Sequence, residues 1–148
     1  MARTVREAAM DYLSRREHTT HELAQKLLNK EYEAEEVHEA LEQLTAEGLL
    51  SDERFVEAFV FHRMQRGSGP FKIHAELRQK GVSDAMIAQF LDERDNAWLN
   101  IAQDVRVKKF GPLLPSDMKE KARQARFLQQ RGFTHEQTRS ALRDDDFY

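Results

Sequence analysis

Leu77-Arg78-Gln79-Lys80-Gly81-Val82 decides the fold, because the chain writes this stretch three times. Leu27-Leu28-Asn29-Lys30-Glu31-Tyr32 stands 50 residues earlier, and Leu128-Gln129-Gln130-Arg131-Gly132-Phe133 stands 51 residues later. The register continues outward: Val37, Ile87 and Thr138 correspond, as do Leu41, Leu91 and Leu142. Self-similarity at a fixed period marks an array of like units. A unit of about fifty residues has room for roughly three short helices, yet it hides only about 60% of its unfolded surface when alone. Neighbouring units are therefore expected to lean on one another, as in a short solenoid.

Helix punctuation supports an all-α reading of three tandem three-helix repeats. The chain has only three prolines, and helix formers dominate. Thr19 and Glu22 have the spacing of a capping box, which opens a helix to about Leu28. The segment Glu35 to Glu47 carries Val37, Leu41 and Leu44 on one face and stops at Gly48. Ser51-Asp52 opens a helix to about Arg66, Gly67-Ser68-Gly69 breaks it, and Pro70 starts another to Lys80. Ser83 caps the next. A longer helix from about Asp95 to Phe110 has Trp98, Ile101, Ala102 and Val105 on one stripe, and the stiff connector Gly111-Pro112-Leu113-Leu114-Pro115 follows. Ser116-Asp117 caps a helix to Arg131, and Thr134 with Gln137 repeats the capping-box spacing. The repeats are expected at 1–50, 51–94 and 95–148, the last with a short, frayed acidic tail, Asp144-Asp145-Asp146. Phe55, Phe59, Phe90 and Phe127 are expected in the interior.

Composition narrows the function classes. The 148 residues, 33% charged and 40% apolar, suit one compact array. There is no cysteine, which removes disulfides, thiol nucleophiles and cysteine zinc sites. The longest apolar run is Ala58 to Phe61, and the first residues lack a signal-peptide core, so a cytoplasmic, membrane-free protein is expected. A monomer is also expected. The motifs that build P-loop, zinc-protease or nucleophile-elbow sites are missing, and no catalytic, cofactor or metal residues are assigned. His18 and His21 are three apart but straddle the predicted cap, so they are not read as metal ligands.

Charge is the better guide. Net charge is −3, but residues 61–82 carry five basic and one acidic side chain, and residues 105–131 carry eight and two. Residues 1–60 carry seven and fourteen. Lys119, Arg123 and Arg126 fall within a narrow stripe of one helix, a cationic ridge. Arg63, Arg66, Lys72, Arg78 and Lys80 crowd the second repeat, with Glu76 four residues from both Lys72 and Lys80 and able to neutralise them in part. Lys80 and Arg131 hold equivalent helix-end positions, where contact with helix carbonyls is a sufficient structural role. Gly67-Ser68-Gly69 reads as a tight interhelical turn, and also as a phosphate cradle at the start of the following helix.

Four blocks now carry a resemblance over about Ala9 to Leu142: Leu13-x-x-Arg16-x-His18-Thr19-x-x-Glu22-Leu23-x-x-Lys26-Leu27; Gly48-Leu49-Leu50-Ser51-Asp52-x-Arg54-Phe55; Gly67-x-Gly69-Pro70-x-Lys72-Ile73-x-x-Glu76-Leu77-x-x-Lys80-Gly81-Val82; and Arg126-Phe127-Leu128-x-x-Arg131-Gly132-Phe133. In this order they resemble the RecX family, regulators of the bacterial recombinase RecA. Lys72 stands where the family usually has Arg, and it supplies a point charge in place of a bidentate fork. The resemblance implies three three-helix repeats in a curved, elongated body. It also implies a negative regulator that binds the RecA–single-stranded-DNA filament, caps or destabilises it, and inhibits ATP hydrolysis, strand exchange and SOS coprotease activity. Candidate RecA or DNA contacts are Arg63, Arg66, Lys72, Arg78, Lys80, Lys119, Arg123, Arg126 and Arg131, with weak binding to bare single strands. Two other readings stay open: a helix-turn-helix-like DNA-binding protein, opposed by Glu35, Glu36, Glu39, Glu42, Asp84, Asp92 and Glu93 on the would-be recognition helices, and a pure protein-interaction scaffold.

Overall fold

The computed structural model describes residues 2–143, and the acidic run Asp144-Asp145-Asp146 lies outside them. Among the described residues there are nine α-helices and no strand: α1 (Val5–Arg15), α2 (Thr20–Asn29), α3 (Ala34–Ala46), α4 (Asp52–Gln65), α5 (Pro70–Gln79), α6 (Asp84–Phe90), α7 (Ala97–Phe110), α8 (Met118–Gln130) and α9 (His135–Ala141). Capping boxes form at Thr19/Glu22 and Thr134/Gln137, as the spacing predicts. Thr4 and Glu7 build a third, which opens α1. Asp117 caps α8 through the Glu120 amide.

The repeat is present in the backbone as well as in the side chains. The amide of Tyr32 donates to the Leu27 carbonyl at 3.3 Å, Val82 to Leu77 at 3.1 Å, and Phe133 to Leu128 at 3.2 Å. Each of those leucines is fully buried. Such a turn sends one residue into the left-handed region, and φ is 69° at Glu31, 83° at Gly81 and 99° at Gly132. Glycine suits the last two for a further reason. A Cβ at Gly81 would lie 2.3 Å from the His21 Cβ, and one at Gly132 would lie 2.6 Å from the Lys72 backbone nitrogen. Glu31 makes the same turn with a side chain that disfavours it.

By packing, the chain divides into two compact units, a different partition from the three repeats. The first runs through Phe59 and takes in Leu77–Ile87; the second comprises Val60–Glu76 and continues from Ala88. In the first unit α1, α2 and α3 pack together around Val5, Ala8, Ala9, Leu23, Leu27, Val37, Leu41, Leu44 and Leu50. Each such leucine contributes roughly 1.5–3 kcal/mol by leaving water. The start of α2 is fixed by long-range bonds within this unit. The Thr19 hydroxyl donates to the Lys80 carbonyl at 2.7 Å, and the Thr20 amide donates to Asp52 at 2.7 Å.

In the second unit α7, α8 and α9 pack together around Trp98, Ala102, Leu128, Phe133, Ala141 and Leu142. Polar side chains share that interior: Arg106, Gln124, Gln137 and Thr138 are all buried. The expected stripe on α7 is thus corrected, with Trp98, Ala102 and Arg106 innermost and Ile101 and Val105 only half-buried. Phe55 is buried as expected, whereas Phe59, Phe90 and Phe127 are half-buried.

Candidate functional site

The Gly67-Ser68-Gly69 turn is a docking point between backbones and offers no anion cradle. The Gly67 and Ser68 amides donate to the carbonyls of Met64 and Arg63, at 3.0 Å each. The Gly69 amide donates to the Arg131 carbonyl at 2.7 Å, and the Phe71 amide to the Gly132 carbonyl at 2.9 Å. With these donors occupied, the phosphate-cradle reading falls. The approach is so close that a Cβ on Gly69 would sit 2.3 Å from the backbone of Gly132 and Phe133.

The candidate cations divide sharply by what they touch. Lys80 reaches Glu22 at 3.2 Å and lies 5.8 Å from the ring centres of both Phe55 and Phe59. Arg78 pairs with Asp84 at 3.4 Å and donates to the Val82 carbonyl at 3.1 Å. Glu76 pairs with Arg63 at 3.2 Å, across from α5 to α4, and not with Lys72 or Lys80 as the i, i+4 spacing suggests. Arg131 donates to the Arg66 carbonyl at 2.8 Å and to the Gly67 carbonyl at 3.2 Å, closing the end of α4. Arg123 grips Glu120 with two nitrogens at 3.0 and 3.1 Å, and its guanidinium lies 5.0 Å from the Phe110 ring centre. That pairing draws the Glu120 carboxyl below its ordinary pKa, with the Arg123 hydrogen bond first and the Gln124 amide second. The ridge on α8 is therefore interrupted at its middle.

Arg66, Lys72, Lys119 and Arg126 are the candidates that remain exposed with no ion pair among the described residues. All four lie in the second unit. Lys108 and Lys109, which sequence reasoning left inside an undivided basic segment, join them. A cavity of about 530 Å³ is lined by Arg66, Lys108, Lys109 and Arg131 above a floor of Met64, Ile101, Val105 and Phe127, with Asp104 its one acid. Lys109 stands 5.5 Å over the Phe127 ring, which meets Phe110 edge-on at 5.3 Å. The signal in the sequence was the α7 spacing: Ile101, Val105 and Lys108 recur at four and three residues and so share a face with the floor.

Arg106 is one of the eight basic residues of the 105–131 segment, yet it does not reach the surface. It is 1% exposed. Its guanidinium donates to the carbonyls of Leu113 at 3.3 Å and Pro112 at 3.5 Å and to Gln124 at 3.5 Å, while its Nε has no partner. Loss of solvent lowers its pKa from the ordinary arginine value. His18, equally buried, is a structural residue: Nδ1–H donates to the Arg16 carbonyl at 3.0 Å and Nε2 accepts from Lys26 at 2.8 Å. Among the described residues no group of three or more metal-ligating side chains gathers, and no helix is long and apolar enough to cross a membrane.

Three tandem three-helix units define a helical-repeat protein. The chain belongs to the RecX family. It matches "RecX, first three-helix domain" over residues 6–44, the second such domain over 51–91 and the third over 99–142. A protein named Regulatory protein RecX from Halorhodospira halophila (strain DSM 244 / SL1) is 50% identical over 137 residues, covering 93% of this chain and 85% of that one. Its namesake from Pseudomonas tolaasii is 45% identical over 130 residues, covering 88% and 84%. The fold matches the crystal structure of RecX from Lactobacillus salivarius with a TM-score of 0.83 at 19% identity, over 97% and 96% of the two chains. A second RecX crystal structure matches at 0.77 and 21%, over 90% and 70%. The protein is a regulator of the RecX kind.

Proposed function

We propose that this protein binds the RecA–single-stranded-DNA filament and restrains it, lowering ATP hydrolysis, strand exchange and coprotease activity by capping or loosening the filament. The observation that carries this reading is the segregation of open cations. Arg66, Lys72, Lys119 and Arg126, all in the second unit, are exposed with no ion pair among the described residues, and Arg66 lines the cavity with Lys108 and Lys109. An exposed cation with no internal carboxylate has its full charge available to a polyanion, and neutralising phosphates releases counterions. Arg63, Arg78, Lys80, Arg123 and Arg131 serve the fold first. Their charges are already shared with Glu76, Asp84, Glu22, Glu120 and main-chain carbonyls.

A groove-reading DNA-binding protein fits less well, because α3 presents exposed Glu35, Glu36, Glu39 and Glu42. The test is titration of the protein into preformed RecA filaments on single-stranded DNA while ATP hydrolysis is followed. Inhibition is expected, and the combined Arg66→Glu and Lys108→Glu variant should need roughly tenfold more protein. Unaltered inhibition by that variant at the same ionic strength would remove the cavity from the interaction.

A further inference from the structure

Gly111-Pro112-Leu113-Leu114-Pro115 has no polar side chain, although connectors between helices are ordinarily polar. Its central residue, Leu113, is 84% exposed, and Met118 at the start of α8 is 81% exposed. The next most exposed large apolar residues, Phe61 and Phe71, reach 55% and 51%. Leu114 is half-buried and supplies the connector's own packing, so Leu113 is not needed for that purpose. The segment is also held from inside. Buried Arg106 donates to the carbonyls of both Pro112 and Leu113, and two prolines limit the backbone on either side of the leucines. Burying a guanidinium with carbonyls and one amide as its partners is costly. Here that cost fixes the backbone of a segment whose side chain touches little of its own protein.

Charge lies close to these residues in sequence. Lys119 and Lys121 follow Met118, both exposed and without an ion pair among the described residues. The neighbouring acids are committed, Asp117 to capping α8 and Glu120 to Arg123. Exposed apolar side chains followed at once in the chain by exposed, unneutralised lysines suit an apolar pocket rimmed with carboxylates. Leu and Met also lack the flat ring that stacks on bases, whereas thioether and branched aliphatic chains adapt to irregular protein pockets.

We propose that Leu113 and Met118 form a preorganised anchor that inserts into an acid-rimmed apolar pocket on the protein of the filament, with Arg106 as its positioning residue. This rests on the filament-binding reading above. The chain has no cysteine, so Leu113→Cys gives a single attachment point for a photo-crosslinker. The expected result has two parts. Leu113→Ser with Met118→Ser keeps the wild-type melting temperature and binding to bare single-stranded DNA, yet inhibits filament ATP hydrolysis only at roughly tenfold or more higher concentration. The labelled Leu113→Cys protein forms its adduct with the recombinase. Wild-type inhibition by the double variant overturns the anchor and leaves filament binding intact. An adduct with the DNA overturns it in favour of insertion between bases. A wild-type protein that does not inhibit overturns the filament reading, and the anchor with it.

Discussion

The two compact units differ in how many of their cations are tied to carboxylates. In the first, Arg3, Arg6, Arg15, Arg16, Arg54, Arg78 and Lys80 are all tied to carboxylates, and the interior around α1, α2 and α3 is apolar. In the second, Arg63, Arg94 and Arg123 are paired, but Arg66, Lys72, Lys108, Lys109, Lys119 and Arg126 have no ion pair among the described residues, and Arg106 lies inside with Gln124 and Gln137. Surface pairs contribute little stability, typically under about 1 kcal/mol each. Pairing in the first unit chiefly neutralises a surface; in the second it reaches Arg63, Arg94 and Arg123 and leaves most other cations without it. Repeats alike in sequence thus carry surfaces whose cations are neutralised to different degrees.

The sharpest challenge to this comparison is Leu27→Ala against Leu128→Ala, equivalent residues of the first and third repeats, both fully buried. Each should lose about 2–5 kcal/mol in urea unfolding. A much smaller loss at Leu128 would mean that the polar interior of the second unit is loosely packed. Gly132→Ala comes next: a side chain at φ 99° against the Lys72 backbone should cost at least about 1–3 kcal/mol.

A third, smaller effect belongs to the first unit alone and depends on pH. Burial, with the neighbouring Arg16 and Lys26 charges, holds the His18 pKa below its ordinary 6.5, while the Arg16 carbonyl and Glu22 oppose the shift. The unfolded chain therefore takes up this proton first. Stability is full above about pH 6.5 and declines as pH falls below it toward the lowered value. Urea midpoints from pH 7.5 to 5.5 should fall, and His18→Gln should flatten that fall. An identical slope in the variant would remove His18 as the source. The smallest effect is a gain: Glu31→Gly, relieving a side chain at φ 69°, should stabilise by about 0.5–1 kcal/mol, read as a higher melting temperature.

Sequence legibility tracked how local the physics was. The repeat, the helix starts and the glycine turns depend on residues a few positions apart, and Leu27, Leu77 and Leu128 all reached the core. Partner choice among charges is not local. Glu76 had two lysines at helical spacing yet bonded Arg63 on another helix, and Arg131 found carbonyls 64 and 65 residues away. Arg106 was hardest to foresee, because its acceptors belong to a connector whose path periodicity does not encode. Counting it as surface charge made the 105–131 segment look more uniformly exposed than it is. Lys108 and Lys109 were overlooked for the complementary reason: their value comes from an apolar floor assembled from α4, α7 and α8.

The interrupted membership of the first unit bears on how the molecule is made. Synthesis delivers α1, α2 and α3 first, but Leu77, Val82 and the Lys80 carbonyl that receives Thr19 belong to the same unit. At roughly 5–20 residues per second, the stretch between Phe59 and Ile87 takes a few seconds to translate. For that interval the nascent chain carries an unfinished unit whose closing residues are still being added. A chain cut short before Ile87 would lack the residues that complete its first unit, however fully α1, α2 and α3 had formed.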